Sequence, residues 1–367
     1  MEKLRAAVIG RTGHGDYGHG MDLVWNDLPG VELVAVADDN KMGLAAKAKQ
    51  LKLNKAYADY RQMLDEVKPD LVSIGCRWLD QHRDIVVETA NRGVHIYLEK
   101  PLCRTLTEAD QMADALNRTH TKLVIAHTTR HSPKTKVVRQ MIADGKIGRI
   151  MELRGRGKED QRGGGEDMWV LGSHIMDLMR IFGGNPQWCF AMVNAADKPV
   201  TKADVVEGNE GIGLLAGDAI AAMYGFPKSV TGYFGTQRQA AKRTRFGLSI
   251  YGTEGILEMT TGYLPSVRYL PEPSWSAGQT GAKWLNVSSA GLNEPEPLQR
   301  DADPNGNRPC ILELLSSIRE NRTPSGGIDD ARAAIEMIVA VYESHRVGGP
   351  AAIPLANRDN PLAKLTK

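Results

Sequence analysis

His95-Ile96-Tyr97-Leu98-Glu99-Lys100-Pro101 is the stretch on which the reading of this chain turns. Val94 to Leu98 is apolar and β-prone with Gly93 in front of it, the pattern of a short buried strand. Pro101 donates no backbone hydrogen bond and disfavours helix at Lys100, so Glu99 and Lys100 are expected at the strand's carboxyl end. Open α/β sheets bind their ligands at that edge. A lysine there, beside a carboxylate, is a candidate for moving a proton or orienting a reacting group. A surface ion pair at a strand end would leave the same pattern.

The residues on either side supply a context. Leu4 to Ile9 reads as a strand, and Gly10 opens the loop Gly10-Arg11-Thr12-Gly13-His14-Gly15-Asp16-Tyr17-Gly18-His19-Gly20. Gly13, Gly15 and Gly18 fit G-x-G-x-x-G, in which glycines let the backbone turn tightly and approach a pyrophosphate. A second registration starts at Gly10 and ends at Gly15, with Thr12 in place of the middle glycine. Met21 to Leu28 is predicted to form the following helix. Val31 to Ala37 is a second strand, running into Asp38-Asp39-Asn40. Asp38 stands about 20 residues after Gly18, where an acid reaches the adenine ribose hydroxyls. Its charge favours NAD by repelling a ribose phosphate, while Lys41 keeps NADP open. Strand patterns at 71–74, 95–98 and 123–126 alternate with helical ones at 42–51, 60–67 and 81–92, and Thr105 to Glu108 reads as a capping box. That alternation predicts a doubly wound parallel sheet.

Composition narrows the function. The 367 residues allow two domains, and 42% apolar with 25% charged residues is ordinary for a globular protein. The 46 basic and 44 acidic residues nearly cancel, which argues against a nucleic-acid or membrane-surface partner. The strand pattern begins close to Met1 and leaves no room for a signal peptide, so the expected location is cytoplasmic. Cys76, Cys103, Cys189 and Cys310 are scattered, which argues against a disulfide framework or a zinc ribbon. No metal is expected: His127 and His131 are four apart but straddle a strand exit.

Taken in order, the glycine loop, Val34-Ala35-Val36-Ala37-Asp38 and Leu98-Glu99-Lys100-Pro101-Leu102 resemble the glucose–fructose oxidoreductase, inositol dehydrogenase and MocA (Gfo/Idh/MocA) family. Gly145 to Ile150 resembles that family's entry into its second domain. The resemblance implies a Rossmann domain over residues 1–126. Over 127–367 it implies an α/β domain with a large open, mostly antiparallel sheet that binds substrate and supports a homo-oligomer. It further implies NAD or NADP as cofactor, a sugar, polyol or sugar derivative as substrate, and Lys100 beside the nicotinamide with a cis peptide before Pro101. His174, in Gly172-Ser173-His174-Ile175-Met176-Asp177, matches the family's acid/base histidine, and His82 and Arg130 match family positions.

Candidate catalytic residues are therefore Lys100 and His174. Candidate cofactor contacts are Gly10, Thr12, Gly13, Gly15, Tyr17, Gly18, Asp38, Cys76, His82, Glu99, Lys100 and Arg130. Candidate substrate contacts are Trp78, Arg162, Asp167 and Asp177. Trp78 either lines the site or packs a domain interface, and the polar stretch from Lys158 to Asp167 is either a substrate-gripping loop or an ordinary connection. The family commonly places an aspartate four residues before its histidine, where this chain has Val170. Either Asp167 or Glu166 takes its place, or Lys100 and His174 act as a pair, or the chemistry differs. Helices are expected at 133–145, 170–182, 311–320 and 329–345, and 265–309 reads as irregular. The function expected is an NAD-dependent oxidoreductase acting on a carbohydrate hydroxyl. Two alternatives are redox-assisted glycoside cleavage or elimination with retained NAD, and a non-catalytic NAD-binding sensor.

Overall fold

The computed structural model describes residues 3–239, 245–274 and 280–366. They form two compact units. The first holds the described residues up to Ala126 together with Asn209–Gly213 and Asn307–Arg332, and the second holds the rest.

Six strands build the sheet of the first unit: β1 (Leu4–Ile9), β2 (Val31–Ala37), β3 (Ala56–Tyr57), β4 (Leu71–Ile74), β5 (His95–Leu98) and β6 (Leu123–Ile125). All pairings are parallel, in the order β3-β2-β1-β4-β5-β6. β4 is buried along its whole length, as expected of a strand covered on both faces. The chain reverses direction across the sheet between β1 and β4, which brings Gly10, Asp38, Gly75 and Glu99 to one carboxyl edge. Helices α1 (Lys41–Leu51), α2 (Tyr60–Val67), α3 (His82–Asn91) and α4 (Leu106–Thr119) supply the crossovers. Asn40, Asp59 and Thr105 cap α1, α2 and α4. At α4 the reciprocal bond is displaced by one residue: Glu108 accepts from the Arg104 amide at 2.9 Å.

The helix expected at Met21 to Leu28 is absent, and β1 runs into a chain of turns. Gly13, Gly15, Gly18 and Gly20 all take positive φ, as does Asp27, and each interrupts a right-handed run. Tertiary contacts hold the segment instead. Buried Trp25 donates from Nε1 to Ser73 Oγ at 3.0 Å, and that hydroxyl donates to the Met21 carbonyl at 2.8 Å.

The second unit opens with α5 (Pro133–Ala143) and β7 (Ile150–Arg156), followed by α6 (Gly165–Val170) and α7 (Gly172–Gly183). The single helix expected at 170–182 is thus two, broken at Leu171. Gly172 lies where a side chain would press on Phe234, with a Cβ only 3.0 Å from its ring. The strands that follow are β8 (Trp188–Ala195), β9 (Lys198–Pro199), β10 (Val206–Glu207), β11 (Leu214–Leu215), β12 (Ala219–Phe226), β13 (Val230–Gln237), β14 (Gly247–Gly252), β15 (Ile256–Thr260), β16 (Val267–Leu270) and β17 (Leu285–Asn286). α8 (Asn307–Arg319), α9 (Ile328–Val347) and β18 (Ala351–Ala352) close the chain. The large sheet has the order β17-β16-β15-β14-β7-β13-β12-β8-β18, with β9 on β8 and β10 paired to β11 apart from it. Only β7 with β13 is parallel among the described pairings of this sheet. α7 packs against β7, where Gly155 leaves room for Ile175. The stretch 265–309, expected to be irregular, contains β16 and β17, and its residues 275–279 lie outside the described residues. Met337, Ile338 and Val341 of α9 are fully buried.

α8 belongs with the first unit, where Cys310, Ile311 and Leu314 join Val8, Trp25 and Tyr97 in one apolar cluster. Its Asn307 accepts from Tyr97 Oη at 2.7 Å and donates to the His19 carbonyl at 2.9 Å, pinning the glycine loop.

Because Trp25 both fills the core and anchors the turns, Trp25→Ala is expected to cost about 3–5 kcal/mol in urea unfolding, a loss typical of deleting a large buried aromatic side chain.

Candidate active site

The glycine loop and Asp38 form the first part of the site. The Asp38 carboxylate is 1% exposed and has four donors around it. Thr12 donates from its amide at 3.1 Å and its hydroxyl at 2.6 Å, Tyr17 Oη at 2.8 Å, and the Asn40 amide at 2.9 Å. Burial and then the Asp38 charge push the Tyr17 hydroxyl well above its ordinary pKa, so it stays a donor. Tyr17 covers Gly10 so closely that any Cβ there would collide with its ring. Gly15 and Gly18 serve close approach in the same way: a Cβ would lie 2.6 Å from Arg77 and 2.8 Å from the Gly75 carbonyl. Gly13 faces open space, and its φ of 88° is the reason for glycine there.

A small cleft beside Asp38 has Ile9, Ala37, Ala58, Tyr60 and Ile85 on its apolar side and Arg11, Asp39 and Gln81 on its polar side. Burial raises the Tyr60 hydroxyl to about 12. Arg11 at the cleft is held by Asp80 at 2.8 Å and Asp39 at 3.2 Å. These residues fit a dinucleotide. Asp38 would hold the ribose hydroxyls, the apolar walls the adenine, and the positive-φ glycines the backbone near the phosphates. Two adjacent carboxylates and an already engaged arginine disfavour a ribose phosphate.

Around β5 the structure places Glu99 and Lys100 in the interior, 0% and 6% exposed, with the Lys100–Pro101 peptide cis. Burial pushes the Glu99 carboxyl up, but the His19 hydrogen bond and charge, with Lys100 and His82, hold it below the ordinary range. His19 Nδ1 donates to Glu99 Oε1 at 2.5 Å. His82 is fully buried and ties two loops together. Its Nε2 faces the Cys76 carbonyl at 2.7 Å, and its Nδ1 faces the carbonyls of Pro101 and Leu102 at 3.1 Å. It therefore fixes the turn that carries Lys100. Cys76 is buried with its thiol raised to about 12 by desolvation, so it offers its backbone, not a thiolate. Trp78 packs edge-on against His14, ring centroids 4.6 Å apart.

In the second unit His174 lies in the first turn of α7, with Asp177 one turn on. Asp177 is 1% exposed and gripped by Arg130, whose Nε lies 3.0 Å from both carboxylate oxygens and whose Nη2 lies 2.5 Å from Oδ1. Arg130 and Asp177, the candidates for cofactor and substrate contact, thus engage each other. Asp167 is turned to its own loop. It accepts from the amides of Lys158 and Glu159 at 3.1 Å each and from the Thr236 hydroxyl, and burial raises its pKa. Arg162 reaches Asp160 at 2.7 Å, a hydrogen bond that with the nearby charges lowers Asp160 to about 2. Sequence reasoning did not single out Arg11, His19, Tyr60 or a functional His127. Arg11 and His19 had a local signal, adjacency to Gly10 and Gly18 in the glycine loop.

These features define a dinucleotide-binding α/β oxidoreductase fold with a second, sheet-rich unit. Residues 4–127 match the family described as "Oxidoreductase family, NAD-binding Rossmann fold", and residues 135–258 match the GFO/IDH/MocA C-terminal domain. The chain belongs to the Gfo/Idh/MocA family, and its cofactor is NAD. It is 24% identical to levoglucosan dehydrogenase of Pseudarthrobacter phenanthrenivorans over 60% of this chain, and the match spans 63% of that relative's length. To D-apiose dehydrogenase of Paraburkholderia graminis it is 24% identical over 88% of this chain and 90% of the relative. Among solved structures, levoglucosan dehydrogenase with NADH and L-sorbose superposes with a TM-score of 0.75 at 21% identity, over 97% of this chain and 100% of that one.

Two outcomes follow from these contacts. Asp38→Ala removes charge-assisted acceptors worth about 1.5–3 kcal/mol and takes the anchor from Thr12 and Tyr17, so NAD binding by calorimetry should weaken at least roughly 10–100-fold. Asp177→Asn leaves buried Arg130 without its counter-charge and should cost about 3–5 kcal/mol in urea unfolding at neutral pH. Burial raises the Asp177 carboxyl, but Arg130 and then His127 bring it well below its ordinary value. Its stabilisation is therefore full above the unfolded value of about 4 and is lost as pH falls toward the folded one, so the gap to Asp177→Asn should narrow only in acid.

Proposed function

We propose that this protein oxidises a hydroxyl of a sugar, polyol or sugar derivative with NAD, with Lys100 and His174 as the groups that handle the hydroxyl proton. The observation that carries the reading is Lys100 itself. It is 6% exposed at the carboxyl edge of the parallel sheet, on a turn fixed by His82 and next to a buried carboxylate. A buried ammonium in such a place is held in a fixed orientation toward whatever enters the cleft edge. Relatives named as levoglucosan, D-apiose and scyllo-inositol dehydrogenases support a carbohydrate substrate.

Bound NAD supplies the hydride acceptor. The chain supplies position and proton transfer. Asp38 and the glycine loop hold the adenosine end, and Lys100 orients the hydroxyl and eases loss of its proton. His174 accepts that proton as general base.

The test is absorbance at the reduced-nicotinamide band while the protein and NAD meet a panel of sugars, polyols and glycosides, with products analysed in parallel. NADH equal to the keto product formed is the expected outcome. Product without accumulating NADH would replace net oxidation by cleavage or elimination. On the active substrate, His174→Ala is expected to lower turnover roughly 10²–10⁴-fold, the range for loss of a general base. Wild-type turnover in that variant would remove His174 from the proton transfer.

A further inference from the structure

His127 is 2% exposed, and neither of its ring nitrogens has a hydrogen-bond partner within the protein. Native interiors leave few polar atoms in that state, and each such case calls for a reason. Nδ1 lies 3.7 Å from Asp177 Oδ1, within ion-pair range and beyond a hydrogen bond. On the other side is His174. The two ring centroids are 5.4 Å apart at an interplanar angle of 59°, a separation at which a nitrogen of each ring can face the other. Arg130 fixes Asp177 through three close contacts, so the carboxylate that faces His127 does not wander. Phe246 stands edge-on to the His174 ring at 6.2 Å, an apolar wall. Val170, one turn before His174, offers no polar side-chain atom. Asp177 and His174 from α7 and Arg130 from the turn Thr128–His131 are the charged and titratable groups described near His127.

We propose that His127 is a positioning residue for His174: a neutral imidazole that donates its Nδ1 proton toward Asp177 and accepts through Nε2 from His174. The proposal rests on the reading of His174 as the proton acceptor. During oxidation the substrate's O–H bond breaks and its proton passes to His174. The carbon's hydride leaves with its electron pair to the nicotinamide, and His127 keeps its own proton throughout. His127 so links the fixed charge of Asp177 to the imidazole that becomes cationic.

The first measurement needs no substrate. Long-range ¹⁵N correlation spectra of the histidine-labelled full chain, assigned with His127→Gln and His174→Asn, report which ring nitrogen of His127 carries the proton. The expected result is a neutral ring protonated on Nδ1, the minor form of free imidazole side chains in water. A proton on Nε2, or on both nitrogens, would overturn the proposal. The second measurement is turnover of His127→Phe and His127→Gln on the sugar found active in the panel. A fall in kcat of about 10–100-fold with KM and NAD affinity near wild type is expected, the size seen when an orienting partner is removed. Added imidazole should restore part of the rate to His127→Gly. Should His127→Phe fail to fold, His127→Gln and the wild-type spectra still decide. His174→Ala, run alongside, separates two failures. If it keeps wild-type turnover, the general-base reading and this proposal fall together. If it loses turnover while both His127 variants keep theirs, only the role of His127 falls.

Discussion

Four hydrogen-bond donors converge on the Asp38 carboxylate, and the organisation of the first unit depends on them. A dinucleotide fold usually holds its glycine loop by running it into a helix, whose regular bonds set the backbone. Here the glycines take left-handed φ values and no such helix forms. A loop without regular bonds needs a fixed external acceptor, and a buried carboxylate at the end of β2 is a strong one. Thr12 and Tyr17 close on it from one side and Asn40 from the other. The same carboxylate stands where the sequence pattern expects the acid for the ribose hydroxyls, so the loop's anchor occupies the position expected of the cofactor's acceptor.

Much of this was legible in the sequence. Strands β1, β2, β4 and β5 are short apolar runs bounded by Gly, Pro or Asp, and local chemistry sets their ends. Thr105 could be assigned as a cap because its hydroxyl acts within its own turn. The helix expected after Gly20 failed for a reason outside local pattern. Trp25, Ser73 and Met21 satisfy one another across 52 residues of chain, and that tertiary exchange overrides a helical propensity worth only tenths of a kcal/mol per residue, about 0–0.7. The docking of α8 was equally hidden. Cys310, Ile311 and Leu314 show a helical stripe, but nothing in that stripe says which sheet it covers.

Site residues divide along the same line. Asp38, Glu99 and Lys100 sit at strand ends, where position in sequence fixes position in space. Arg130 and Asp177 are 47 residues apart, and both look available for a ligand when read alone. Only their geometry shows each answering the other. Asp167 is similar: its place in the polar stretch before the expected helix left it open to reach His174, whereas the amides of Lys158 and Glu159 take its oxygens.

The second unit therefore meets an electrostatic requirement differently from a carboxylate placed beside the histidine. A histidine that takes a proton in an apolar setting needs negative charge within reach, because desolvation disfavours its cation. Val170 and Phe246 make the setting apolar, and Asp177 is the buried negative charge near it on the same helix. Arg130 neutralises part of that charge, which lets Asp177 remain ionised in the interior at a tolerable cost. What remains acts over a short distance and through the group that lies between. His127 occupies that place, polar at both ring nitrogens and bonded by neither, so in the proposed reaction it would couple a structural ion pair to His174 without a carboxylate against that imidazole.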